Sequence, residues 1–118
     1  HQNKTYLCTA TLKNISKFRI NQNSSQLQQF RHEIIKVLMP FSLGLNGITT
    51  EHADFVYESL LWDCSEEEVI QWNNLLNERL NSLFDQFIPT GQDRPSLAFN
   101  YKAYDAEADW LQQKRSLL

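Results

Sequence analysis

The side chains able to do chemistry are scattered along this chain. Its three histidines, His1, His32 and His52, lie far apart, and its two cysteines, Cys8 and Cys64, stand singly. No CxxC or HExxH spacing is present, so the usual zinc patterns cannot be written. Glu51, His52, Asp54 and Glu58 fall close together, yet helical spacing would put the three acids on one face with His52 turned away. Cys64 lies just before an expected helix N-terminus, where a thiol can be activated. The acids around it, Asp63 and Glu66 to Glu68, oppose that effect. With three glycines in the chain, neither a GxGxxG loop nor a Walker loop exists, and no GxSxG elbow is found. No catalytic residue, metal ligand or cofactor is assigned from the sequence.

Carboxylates are plentiful and unevenly placed. Residues 1–50 carry six bases and one acid, a net of +5. Residues 51–93 carry ten acids and one base, a net of −9, and residues 94–118 a net of +1. The whole chain is therefore only −3. Part of this needs no function: Glu66, Glu67 and Glu68 would occupy a helix's first turn, where the macrodipole favours negative charge. The remainder fits an acidic surface that docks a basic protein, since opposite fields speed encounter and fix orientation. Small acidic immunity proteins that neutralise basic nucleases or toxins work by this logic.

The expected function is thus a small protein-binding module or inhibitor with an acidic helical face. Its candidate binding residues are Glu58, Trp62, Asp63, Glu66, Glu67, Asn74 and Glu78. Trp62 enters as an interface anchor beside carboxylates, and the apolar run from Phe41 to Ile48 as a second contact surface. A small enzyme or ligand-binding domain, its site assembled from distant residues, is the first alternative. The second is single-stranded nucleic-acid binding on the basic N-terminal strands, through Lys4, Lys13, Lys17 and Arg19 with Tyr6 and Phe18. Overall acidity weighs against nucleic acid as a partner. A homodimer is a further option, because the first and middle segments carry opposite charge.

Composition sets the frame for these residues. A length of 118 residues suits one domain, 1–118, and supports an ordinary core without metals or disulfides. The apolar share of 42% and aromatic share of 12% argue for a folded chain. The longest charge-free run, 37–50, is interrupted by Pro40, Gly44 and Gly47 and is too short to span a bilayer. The expected compartment is the cytoplasm, with a processed or secreted form left open by a start at His1.

Periodicity supplies the elements. Thr5 to Lys13 alternates with Tyr6, Cys8, Ala10 and Leu12 on one side, a strand. Ile15 to Ile20 reads as a second strand. Leu27, Phe30, Ile34 and Leu38 recur at helical spacing until Pro40 stops them. The stretch 41–50 fits either a short strand or an apolar loop. Ala53, Val56, Tyr57, Leu60 and Leu61 fit a helix stripe capped by Thr50. Ser65 with Glu68 is a capping box that opens a long helix to about Phe87. Leu97 to Ala103 alternates as a strand, and Asp105 would cap a last helix containing Trp110, Leu111 and Leu117. The expected fold is α+β: a small, mostly antiparallel sheet with about four helices, in the order β-β-α-(β)-α-α-β-α.

Overall fold

The computed structural model describes residues 3–16 and 23–105. Four strands and two α-helices follow one another: β1 (Lys4–Lys13), α1 (Ser24–Val37), β2 (Gly47–Ala53), β3 (Val56–Cys64), α2 (Glu66–Phe87) and β4 (Ser96–Ala103), with a short 3-10 turn at Pro40–Leu43. The strands form one antiparallel sheet in the order β2-β3-β1-β4. The chain order β-α-β-β-α-β with this strand order is the split βαβ, ferredoxin-like arrangement.

The alternation of β1 is the reason it lies at the centre. Tyr6, Cys8, Ala10 and Leu12 are all buried, while the intervening residues are half-buried on the other face. The helices cover the first face. There Phe30 and Ile34 of α1, Leu38 at its C-cap, and Val69, Trp72, Leu76 and Leu80 of α2 meet Tyr57 and Leu61 of β3 in one core. Phe99 of β4 completes it edge-on against Trp72, with ring centres 5.9 Å apart.

Several expectations need correction. The helix expected over 53–61 is a hairpin of two strands, β2 and β3; with the expected last helix outside the described residues, two of the expected helices are present among them. Tyr57, Ser59 and Leu61 face the core, while Val56, Leu60 and Trp62 occupy the opposite face. A strand with apolar residues on both faces produces the same three- and four-residue spacings as a helix stripe. Thr50 pairs with Glu58 inside the sheet rather than capping a helix. The ambiguous stretch 41–50 divides into the 3-10 turn and the start of β2. Gly44 ends that turn with φ 78°, a left-handed conformation suited to glycine. Gly47 is held by space: a Cβ there would lie 2.5 Å from the Leu60 carbonyl oxygen and 3.0 Å from the Pro40 ring. Of the strand expected at 15–20, only Ile15 and Ser16 are described and neither is in a strand; the rest of it, and the helix with Trp110, Leu111 and Leu117, lie outside the described residues.

Candidate functional site

Helix α2 carries Glu66, Glu67, Asn74 and Glu78 of the expected acidic face. Ser65 caps it in a closed box: its hydroxyl accepts from the Glu68 amide, and the Glu68 carboxylate accepts from the Ser65 amide at 3.0 Å. The buried face runs through Val69, Trp72, Leu76, Leu80 and Leu83. Glu67, Asn74 and Glu78 lie on the exposed face. Ile70 and Leu75 are also on the solvent side, at 45% and 41% exposure. Two large apolar side chains are thus set among carboxylates and amides, a composition closer to an interface than to a purely solvated helix.

The chain before β2 adds to this surface. A groove of about 130 Å³ lies between the turn and α2, lined by Leu43, Gly44 and Leu45 on one side and Glu68, Gln71 and Leu75 on the other. Trp72 also lines it. That indole is buried, and its Nε1 has no hydrogen-bond acceptor among the described residues. Phe41, on the same turn, is 72% exposed. Local bonds fix the turn: the Leu45 amide donates to the Pro40 carbonyl at 3.1 Å, and the Trp62 amide donates to the Asn46 carbonyl at 3.0 Å. The apolar run 41–48 and the outer face of α2 therefore border one groove.

The seven expected binding residues do not form a single helical face. Glu58, Trp62 and Asp63 belong to strand β3. Glu58 sits on the side of the sheet that no described helix covers, 3.8 Å from His52. A bulge follows: β3 uses one extra residue between the Tyr6–Leu61 and Lys4–Cys64 pairs. Asp63 takes φ 55° there, which a short polar side chain tolerates. Trp62, at 44% exposure, and Asp63 both emerge at this end of the sheet, beside the first turn of α2. The structure thus brings Trp62, Asp63, Glu66 and Glu67 to one pole and leaves Asn74 and Glu78 farther along α2.

Charge is more local than position suggests. Asp63 accepts from the Asn3 side chain at 3.1 Å. Glu66 accepts from the Tyr101 hydroxyl at 2.9 Å, and that bond raises the phenol above its usual pKa, with burial adding to it. Glu68 is spent in the cap. Asp85 pairs with Arg94. The Glu67 and Glu78 carboxylates take no hydrogen bond or ion pair from any described residue, so their charge faces outward.

The other acids form a separate cluster. Arg31 of α1 reaches Glu51 at 2.6 Å and Asp54 at 3.6 Å, and lies 5.7 Å from the Phe55 ring centre. Glu51 also accepts from the Phe55 amide at 3.2 Å. Tyr57 is enclosed beside this group. Its hydroxyl makes no hydrogen bond of good geometry among the described residues, although burial first, and then the Glu51 charge, strongly favour its protonated form. The expected shared face of Glu51, Asp54 and Glu58 is therefore absent: the first two turn to Arg31 and the third to His52. Among the described residues no group of three His, Cys, Asp or Glu side chains could hold a metal ion. Cys8 and Cys64 are both free and buried.

Ile70, Gln71, Leu75 and the Trp72 floor were not anticipated as site residues. Ile70 and Leu75 carried a readable signal, since both are large apolar residues off the stripe that α2 buries. The Arg31 cluster carried none, because it joins a helix to a hairpin twenty residues away.

The chain matches no known family description, and no curated protein matches it in sequence. Among solved structures it is similar to tRNA(His) guanylyltransferase from Saccharomyces cerevisiae, with a TM-score of 0.58 at 11% identity. The likeness covers 93% of this chain and 56% of that one, so the chain spans a little over half of that enzyme's length. At this identity the resemblance is one of fold.

Proposed function

We propose that this chain is a protein-binding module that docks a basic partner on the outer face of α2 and the adjoining 41–45 turn. The observation that carries the reading is the pairing of exposed Ile70 and Leu75 with the Glu67 and Glu78 carboxylates, which no described residue engages. Apolar anchors supply affinity on losing water, and the surrounding charges select and orient the partner. The Leu43–Leu75 groove offers a seat for one apolar side chain of that partner.

The test is differential capture. Wild-type protein and the Glu67→Lys, Glu78→Lys double variant are immobilised and exposed to source lysate at low and moderate salt. A basic protein held by wild type at low salt, released by salt and lost by the variant supports the reading. Identical sets of retained proteins on both baits, or none on either, would sink it. With the partner in hand, the double variant should weaken binding about tenfold or more. Leu75→Ala should cost about 1–2 kcal/mol of binding, while Glu58→Lys, on the far side of the sheet, should leave affinity near wild type.

Nucleic-acid stacking on the first strand loses one of its residues, because the Tyr6 ring is 5% exposed and lies in the core. Lys17, Phe18 and Arg19 of that reading lie outside the described residues.

A further inference from the structure

The outer edge of β2 is a second surface, on the opposite flank of the sheet from β4. The Trp62 amide bonds to the Asn46 carbonyl, which makes Asn46–Trp62 a hydrogen-bonded pair. Such pairs alternate along an antiparallel ladder. Ile48–Leu60 and Thr50–Glu58 therefore also bond inward, and Gly47, Thr49 and Glu51 turn their amides and carbonyls outward. No other described element takes them up. The strand, Gly-Ile-Thr-Thr-Glu-His-Ala, has neither the lysine nor the proline with which sheet edges are commonly blunted. The opposite edge, β4, does carry an exposed Lys102. Alongside β2 runs a groove of about 260 Å³ between Thr49 and Glu51 of the strand and Gln28, Arg31, His32 and Ile35 of α1, where the Arg31 side chain reaches Glu51.

We infer that this edge pairs with the β2 edge of a second copy of the chain, antiparallel and with Thr49 opposite Thr49 on the two-fold axis. The outward groups sit at 47, 49 and 51, symmetric about Thr49, so this register satisfies them all with about six hydrogen bonds. It also meets the charge constraint. Like charges directly opposite destabilise a strand pair. Here Glu51, already neutralised by Arg31, faces Gly47, which has no side chain. On the uncovered sheet face Ile48, 54% exposed, lies opposite Thr50 of the other copy and loses water on pairing. The two α1 helices flank the junction, bringing Ile35 of each toward the axis.

Light scattering during size exclusion should give a dimer mass that falls toward the monomer on dilution. Ile48→Lys puts a charge beside the new ladder from an exposed position, so the variant should be monomeric with the wild-type circular dichroism spectrum. The Ile48→Cys, Thr50→Cys double variant places cysteines in the opposed, non-hydrogen-bonded positions of this register. Under mild oxidation it should form a covalent dimer that a reductant separates. This readout decides the matter even if Ile48→Lys proves poorly folded. A wild-type protein that stays monomeric at its highest attainable concentration overturns the inference. So does a dimer that survives Ile48→Lys and does not crosslink through the cysteine pair, because its interface is then elsewhere.

Discussion

Position 55 holds a phenylalanine where the backbone asks for glycine. The turn between β2 and β3 is two residues long, and Phe55 takes φ 60° within it, a region costly for any residue with a Cβ. Its ring is 1% exposed, and its carbonyl accepts from the Leu12 amide at 3.0 Å, tying the hairpin to β1. Burial of the ring outweighs the backbone cost. Phe55→Ala should therefore destabilise the fold by about 3–5 kcal/mol. Phe55→Gly should lose the same ring yet relieve the turn, and come out about 1 kcal/mol more stable than the alanine variant. Urea unfolding of both variants checks the order, and a glycine variant less stable than alanine would contradict it. Cys8 makes a second prediction. Burial, with Cys64 nearby, lifts its thiol from the ordinary value near 9 to about 12. An unfolded thiol ionises at the lower value, so the folded state alone keeps its proton between the two. Stability from this source is complete below about pH 9 and is lost as pH rises toward about 12. The unfolding midpoint should fall over that range in wild type and fall less in Cys8→Ala, referred to each protein's value at pH 7.

Among the elements, those with one apolar face were legible and those with two were not. The period-two pattern of β1 and the capping box of α2 appear in the structure almost where the sequence puts them, because a single covered face leaves a clean alternation or stripe. The β2–β3 hairpin escapes a periodicity argument for the opposite reason. Leu60 and Trp62 on its uncovered side blur the alternation of Tyr57, Ser59 and Leu61. The signal available is local: the β-formers Val56, Tyr57 and Trp62 lie in this stretch, and Asn46-Gly47 does mark the start of a strand, though it is not the hairpin turn itself. The site was half legible for the same reason. Glu67, Asn74 and Glu78 share the exposed face that helical spacing implied, whereas Glu58, Trp62 and Asp63 moved to a strand once the hairpin replaced the helix. The cap offers a direct test of element stability. Ser65→Ala removes the acceptor for the Glu68 amide and should cost about 1 kcal/mol in thermal or urea unfolding. Ser65→Asp should retain most of the stability. Equal loss in both variants would mean that the box contributes little to holding α2.

At the scale of the whole molecule, the charge asymmetry of the sequence is partly dissolved by folding. Arg31 of the basic segment neutralises Glu51 and Asp54 of the acidic one, and Arg94 from the last segment pairs with Asp85. What remains outward on α2 is a smaller field, centred on Glu67 and Glu78. Two salt dependences should therefore diverge. The docking proposed for α2 should weaken with salt, because its charges are exposed and screened. Fold stability should change little, because the Arg31 pair is half-buried and shielded. That pair also joins α1 to the hairpin across the sheet's β2 flank. Removing one partner leaves the other partly desolvated, so Arg31→Met should destabilise the fold by about 1–3 kcal/mol. The Arg31→Met, Glu51→Gln double variant should recover part of that loss, since no unpaired charge is left behind. Full additivity of the two single changes would mean that the ion pair is incidental. The docking of α1 on the hairpin would then rest on the packing of Phe30, Ile34 and Phe55 and on the buried bond from the Thr49 hydroxyl to the Leu38 carbonyl.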